Sequence, residues 1–488
     1  MEKGFDSEKY LREQSEAILE RASHFGDKLY LEFGGKLICD YHAARVLPGF
    51  DPDAKIKLLQ RLKDKVDIII CIYAGAIEEK KIRADFGVSY DVDTMRTIDD
   101  LREWGLNVRA VVVTRYCDQP AMQVFLNRLS RRGINVYTHR PIAGYPTDVD
   151  TIAGPAGYGA NAYIETERPI VVVTGPGPNS GKMGTCLSQV YHEFQRGIRA
   201  GYAKFETFPV WNLPLKHPVN LAYEAATADL ADKNMLDYFH LDKYGVKAVN
   251  YNRDLETFPV LKEILYRITG KNIYYSPTDM GVNVIGECIT DDKAIQRAAK
   301  DEIIRRYYRA LTDLKKGTVA PEVPERIKLL MNELNISEAD RTVALHAVKK
   351  REQSGNLPSA CIKVGKKYVV GRKTGYLSPI SSTFLNALKT INRIPDDVDL
   401  ISPSVLEPIL EIKNKTSNFK ESYLKLGEVL IALSICSATN PIVAKSLNSL
   451  DKLQDAELHA THLIPDDEMV ILSNLGINAT SGTDLDIN

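Results

Sequence analysis

The stretch PIVVVTGPGPNSGKMGTCLSQVYHEF, residues 169–194, decides how the chain is read. It opens with a β-branched run from Ile170 to Val173, passes glycines at 175, 177 and 181, and continues with apolar residues at helical spacing. A continuously apolar strand belongs in a parallel sheet covered on both faces, because neither face meets water. The same unit recurs upstream. LYLEFGG (29–35), VDIIICIYAG (66–75), VRAVVVTRY (108–116) and INVYTHRP (134–141) are short apolar runs ending in glycine or polar residues, with helix-length segments between them. Such alternation implies βαβ crossovers. The expectation is a doubly wound, mostly parallel, Rossmann-like α/β sheet. Its helices are expected at 53–65, 92–104 and 119–132, the last two stopped by Gly105 and Gly133 as C′ glycines.

At roughly 100–200 residues per domain, 488 residues suggest three domains. The runs GYAKFETF, KAVNYN and NIYYSP extend the α/β domain to residue 285, a helical domain follows over 286–355, and a smaller α+β domain fills 356–488. The last opens on a hairpin, IKVGKKYVVGRKTG. Lys+Arg total 63 against Asp+Glu 64, so no basic field points to nucleic acid or to a membrane surface, and a small-molecule partner is expected. The basic segment at Arg305, Arg306 and Arg309 is interleaved with Asp301, Glu302 and Asp313, the pattern of a solvated helix face. Seven scattered cysteines without a CxxC pair argue against a disulfide framework and a cysteine zinc site. The charged N-terminal segment has no apolar targeting core, and a cytoplasmic location is expected.

In a doubly wound sheet the ligand lies beyond the carboxyl ends of the strands. The residues there are Glu32, Gly34, Gly35 and Lys36 after the first run, Gly75 after the second, Arg115 after the third, and His139 and Arg140 after the fourth. After the fifth, Gly175, Gly177, Asn179, Ser180, Gly181, Lys182 and Thr185 are candidate phosphate contacts. Backbone N–H groups of a glycine loop opening a helix cradle phosphate oxygens, and a lysine at the helix start adds a point charge. The loop departs from the strict P-loop register: its first glycine falls on Pro176, and the magnesium-binding hydroxyl position on Met183. A nucleotide, another anion and a plain structural turn all stay open.

Lys204 and Glu206 lie two apart on an expected strand, hence on one face, and with Arg253 they are candidate substrate contacts. Lys182 and Asp254 are the catalytic candidates, one stabilising transferred charge and the other acting as base or metal ligand. Asp148, Asp150 and Asp229 are candidate ligands for Mg2+. No zinc motif is found. His192-Glu193 is followed by Arg196 where HExxH needs histidine, and His459 and His462, three apart on an expected strand, point to opposite faces.

The runs LYLEFGGKLICDYHAARVLPGFDPDAKIKLL, GYPTDVDTI, IVVVTGPGPNSGK, KFETFPVWNLPLKHPVNLAYEAATADL and AVNYNRDLE resemble the bacterial domain-of-unknown-function family eighteen-forty-six over essentially the whole chain. The resemblance implies a separate helical domain and an α+β C-terminal domain. Some members are described as ATP-dependent zinc proteases; this chain lacks HExxH, and only Gly181-Lys182 speaks to the nucleotide half.

These readings favour a bacterial cytoplasmic enzyme that binds ATP or another nucleotide with Mg2+, or another small phosphorylated molecule, and catalyses phosphoryl transfer or ATP-dependent ligation. The alternatives are a non-catalytic metabolite sensor or scaffold, built as a homo-oligomer, and a metal-dependent hydrolase.

Overall fold

The computed structural model describes residues 3–26, 28–82, 88–416 and 423–484. Among the described residues, nine strands precede residue 283: β1 (Lys28–Phe33), β2 (Val66–Tyr73), β3 (Asn107–Thr114), β4 (Val136–His139), β5 (Ile170–Thr174), β6 (Ala200–Phe205), β7 (Asn234–Leu236), β8 (Val249–Tyr251) and β9 (Gly281–Val282). Seven of them form one parallel sheet in the order β4-β3-β2-β5-β1-β6-β9, while β7 and β8 pair antiparallel apart from it. From β2 the chain moves outward to β3 and β4; from β5 it moves the other way, to β6 and β9. That reversal lies between β2 and β5, where doubly wound sheets open a crevice at their carboxyl edge.

Both faces are dry at the sheet centre, which is why β2 and β5 are almost wholly apolar. Tyr30, Ile69, Cys71, Val171 and Val173 pack with Cys186, Leu187 and Val190 of the helix Lys182–Gln195 and with Phe258 and Leu261 of the helix Asn252–Thr269. The alternate residues Leu29, Leu31, Ile68, Ile70 and Val172 are equally buried. The helix Ser7–Phe25 packs on β1 and β6 and against Ala54–Arg61. Burying a strand residue of this size contributes about 1.5–3 kcal/mol, so the sheet centre holds the geometry of its carboxyl edge.

The helices start and stop within a few residues of their expected places, at Ala54–Arg61, Tyr90–Glu103 and Met122–Arg131, and Gly105 and Gly133 take positive φ of 72° and 66°. One expected strand is absent: NIYYSP is irregular. Its apolar residues belong to the core all the same, with Tyr274 buried and its hydroxyl donating to the carbonyl of Tyr202.

The chain forms two compact units, Met1–Ala299 and Lys300–Asn488. The boundary falls inside the helix Asp292–Lys315, and the helices Glu322–Glu333 and Thr342–Gln353 belong to the second unit. That unit has a mixed sheet of β10 (Ser359–Val364), β11 (Lys367–Arg372), β12 (Glu457–His462) and β13 (Asn478–Asp484) in the order β11-β10-β12-β13. Its core centres on Ile362, Phe384, Leu388, Val429, Leu433 and Leu458. The helix Thr342–Gln353 packs on β10 and β12, so it is part of an α+β layer and not of a helical domain. Arg305, expected on a solvated face, is instead largely buried, paired with Glu302 at 2.7 Å and Glu457 at 2.7 Å. No helix among the described residues is long and apolar enough to cross a membrane.

Candidate functional site at the carboxyl edge of the sheet

The loop after β5 is held by the end of β3, across β2. Thr114 Oγ1, at the end of β3, donates to the carbonyl of Ser180 at 2.7 Å, and the Ser180 hydroxyl donates to the carbonyl of Gly177. The Arg115 guanidinium donates to the carbonyl of Asn179 and lies 3.6 Å from the centroid of the Tyr73 ring, at the end of β2. Gly181 caps the helix Lys182–Gln195 with φ 90°, and a Cβ there would stand 2.7 Å from Thr114 Oγ1. A side chain at Gly177 would meet the Tyr90 hydroxyl at 2.5 Å.

These contacts consume carbonyls and leave donors. No partner among the described residues reaches the backbone N–H groups of Gly177 or of residues 179–184. Lys182 is half-buried; its Nζ lies 3.4 Å from the carbonyl of Gly177, and it has no carboxylate partner among the described residues. A cation at a helix N-terminus is disfavoured by the helix dipole. Thr185, expected as a phosphate contact, is buried beneath the loop, where its hydroxyl lies 3.3 Å from Cys71 Sγ.

Two strands further on stands a cluster of charge. Glu32 and Lys204 are register partners in the parallel pair β1 and β6, and Glu32 is also the register partner of Val173 in β5. Tyr202, one pleat below Lys204, donates its hydroxyl to Glu32 Oε2 at 2.7 Å. Lys204 Nζ meets Asp254 Oδ1 at 2.7 Å and Glu206 Oε1 at 3.4 Å. Asp254 lies in the first turn of the helix Asn252–Thr269, where the dipole favours a carboxylate. Burial disfavours the Lys204 ammonium, yet Asp254, Glu206 and Glu32 hold its pKa above the ordinary lysine value. Burial lifts the Glu206 carboxyl to about 7 against the pull of Lys204, with Asp254 and Glu32 pushing the same way as burial. Carboxyls lifted to near neutrality by burial and like charge are the groups that move protons in active sites.

The loop and the cluster share an electrostatic neighbourhood. Burial drives the Cys186 thiol well above its ordinary value, Glu32 pushes it further, and Lys182 opposes. The same three influences act on Cys71, lifted to about 12.

The remaining expected residues divide. Gly34 donates its N–H to the carbonyl of Phe205 at 3.2 Å, and Gly35 sits beside the buried pair Lys55–Asp40 at 2.9 Å, so the turn after β1 belongs to the same edge, with Lys36 following it. Arg253 turns to Asp232 at 3.2 Å, and Asp229 is near that carboxyl. The metal candidates do not come together. Asp148 caps the short helix Val149–Ile152 through Thr151, Asp150 pairs with Arg267 at 3.3 Å, and no group of three or more His, Cys, Asp or Glu among the described residues is arranged to hold a metal ion. Tyr202, Thr114, Tyr73 and Lys55 were not singled out from sequence; Tyr202 carried a signal, since it continues the period of two set by Lys204 and Glu206.

A cavity of about 370 Å3 opens at the β9 edge, with Glu206 in its wall together with Arg21, Trp211, His240 and Asp279.

A seven-stranded parallel sheet with a glycine loop and buried ionisable groups at its carboxyl edge defines a doubly wound α/β protein. The chain belongs to the DUF1846 family: the domain of unknown function DUF1846, N-terminal, matches residues 3–335, and its C-terminal counterpart matches 339–486. It is similar to a UPF0371 protein of Clostridium botulinum strain Langeland, 54% identical over 486 residues, covering 98% of this chain and 97% of the relative. A UPF0371 protein of strain Alaska E43 is also 54% identical, over 492 residues, with the same coverage.

Proposed function

We propose that the first unit is an enzyme acting on a small phosphorylated molecule, a nucleotide or a phosphorylated metabolite, by phosphoryl transfer. One observation carries the reading: Lys182 has no carboxylate partner among the described residues, while Glu32 near the end of β1, Glu206 just past β6 and Asp254 in the first turn of the helix Asn252–Thr269 are committed to Tyr202 and Lys204. An anion supplies the missing charge, received by Lys182 and the N–H groups of the 177–184 segment.

Adjacent strands lie about 4.8 Å apart, so the end of β5 and the end of β6 are roughly 10 Å from one another. A phosphorylated metabolite spans that distance. The acceptor oxygen or nitrogen attacks phosphorus, its proton passes to Glu206, and the bond to the leaving group breaks with the electron pair leaving on that group. Lys204, held charged by Asp254, stabilises the ionised Glu206 before transfer. Asp148, Asp150 and Asp229 form no metal-holding group among the described residues.

The test is thermal unfolding and calorimetry with inorganic pyrophosphate, ATP and glucose 6-phosphate. Stabilisation by at least one, lost in Lys182→Ala, supports the site. Binding without turnover of the bound compound with any acceptor moves the reading to a metabolite sensor; no binding by the panel removes it.

A further inference from the structure

We infer that the second ligand of this site is an organic cation, a primary amine or guanidine, held in the cavity at the β9 edge. The inference rests on the phosphoryl-transfer reading in one respect only, that Glu206 is the group shared between the two ligands.

A volume of about 370 Å3 is within the range of small-molecule sites. Its wall carries four carboxylates, Glu20, Glu206, Asp279 and Glu287, against one guanidinium, Arg21. That guanidinium is committed to backbone: it donates to the carbonyls of Asp279 at 2.8 Å and Gly281 at 3.2 Å, so it offers an entering anion little. An anion would face a wall of carboxylates, whereas a cation meets complementary groups. Glu20 has no ion pair among the described residues, which leaves its carboxylate for a ligand. Trp211 is fixed in the wall by its indole N–H, donated to the carbonyl of Asn283 at 3.1 Å, and indole is the strongest aromatic partner for a cation. Glu206 closes the argument: a carboxylate that meets Lys204 at 3.4 Å also lines this cavity, so a bound ammonium touches the group proposed to take the acceptor's proton.

The chain has two tryptophans, so Trp104→Phe leaves Trp211 as the reporter. Three molecules of one shape differ only in charge: tyramine, the neutral tyrosol and 4-hydroxyphenylacetate; agmatine adds a guanidine. Tyramine or agmatine should change Trp211 fluorescence saturably and bind at least about tenfold more tightly than tyrosol, about 1.4 kcal/mol. 4-Hydroxyphenylacetate should not bind, and Glu20→Gln, at an exposed position, should weaken tyramine about threefold or more. Equal affinity for the three shapes, or no response to either cation, overturns the inference; calorimetry of the series on the unsubstituted protein decides the same question if Trp104→Phe fails to fold. Pyrophosphate titration of the same samples separates the two readings. Pyrophosphate bound without tyramine sinks the cation site alone, while tyramine bound without pyrophosphate sinks the phosphate loop alone.

Discussion

Phe33 and Phe205 stack face to face, 3.9 Å between ring centroids and 4° between ring planes, as register partners in β1 and β6. Side chains alternate along a strand, so this pair lies on the face opposite Glu32 and Lys204, one residue earlier. A slip of one residue would carry both charges into the aromatic layer and both rings to the site face. The stack therefore fixes where the buried charges stand.

Lys182→Ala removes a cation that has no carboxylate partner among the described residues. Its folding stability should stay within about 0.5 kcal/mol of the parent, and its affinity for the phosphorylated ligand should fall by about 1.5–3 kcal/mol, as for hydrogen bonds to charged groups. Thermal unfolding and calorimetry on one preparation check both; a destabilised variant with parental affinity would show that the lysine is structural.

Glu206 gives the protein a pH signature. Its folded-state pKa, about 7, stands above the ordinary 4.5, through burial and through Asp254 and Glu32 against the pull of Lys204. Between those values the folded protein keeps a proton that the unfolded chain releases, so this group's contribution to stability is full below the lower value and is lost as pH rises through the upper one. Glu206→Gln should flatten that slope and raise stability at pH 8 by on the order of 1 kcal/mol. Urea titrations from pH 5 to pH 8 measure it, and an unchanged slope would remove Glu206 as the cause.

Lys204→Met leaves Asp254, Glu206 and Glu32 without their shared cation. The expected cost at pH 8 is about 3–5 kcal/mol, typical of stranding a buried partner, and it should shrink as acid protonates the carboxyls. Adding Asp254→Asn should recover part of the loss, and the double-mutant cycle gives the coupling.

Gly181→Ala tests the loop itself. With φ at 90° and Thr114 Oγ1 2.7 Å from the new Cβ, the alanine combines left-handed strain with a clash. A loss of about 2 kcal/mol or more in stability, with ligand affinity reduced, is expected; parental behaviour would mean that the loop relaxes freely.

Much of the first unit was legible because parallel strands buried on both faces run as near-continuous apolar stretches, as at 68–73 and 170–173. Lys204 and Glu206 were legible by their period of two, and the glycine loop by its place between strand and helix. The cavity was not. Its wall takes Arg21 from an N-terminal helix, Trp211 from a loop, and Asp279 from a helix cap, and no spacing links them. The packing of 342–353 was not legible because helical periodicity says nothing of the partner that covers its apolar face, which is the non-local pair β10 and β12. The direction of the Thr185 hydroxyl was not legible because one turn into a helix it can face either the loop or the core; in the structure it lies against Cys71.

The strand order carries a consequence for synthesis. β1 ends at residue 33, but the strands on its two sides begin at residues 170 and 200. At roughly 5–20 residues per second, the ribosome needs on the order of ten seconds or more to deliver both neighbours. Through that interval LYLEF is an apolar segment with two unpaired edges, in a sheet whose contact order is high and whose closure is slow. The strand that carries Glu32 is therefore the one that a chaperone must shield longest, and chains broken off before residue 205 should partition into aggregates rather than fold.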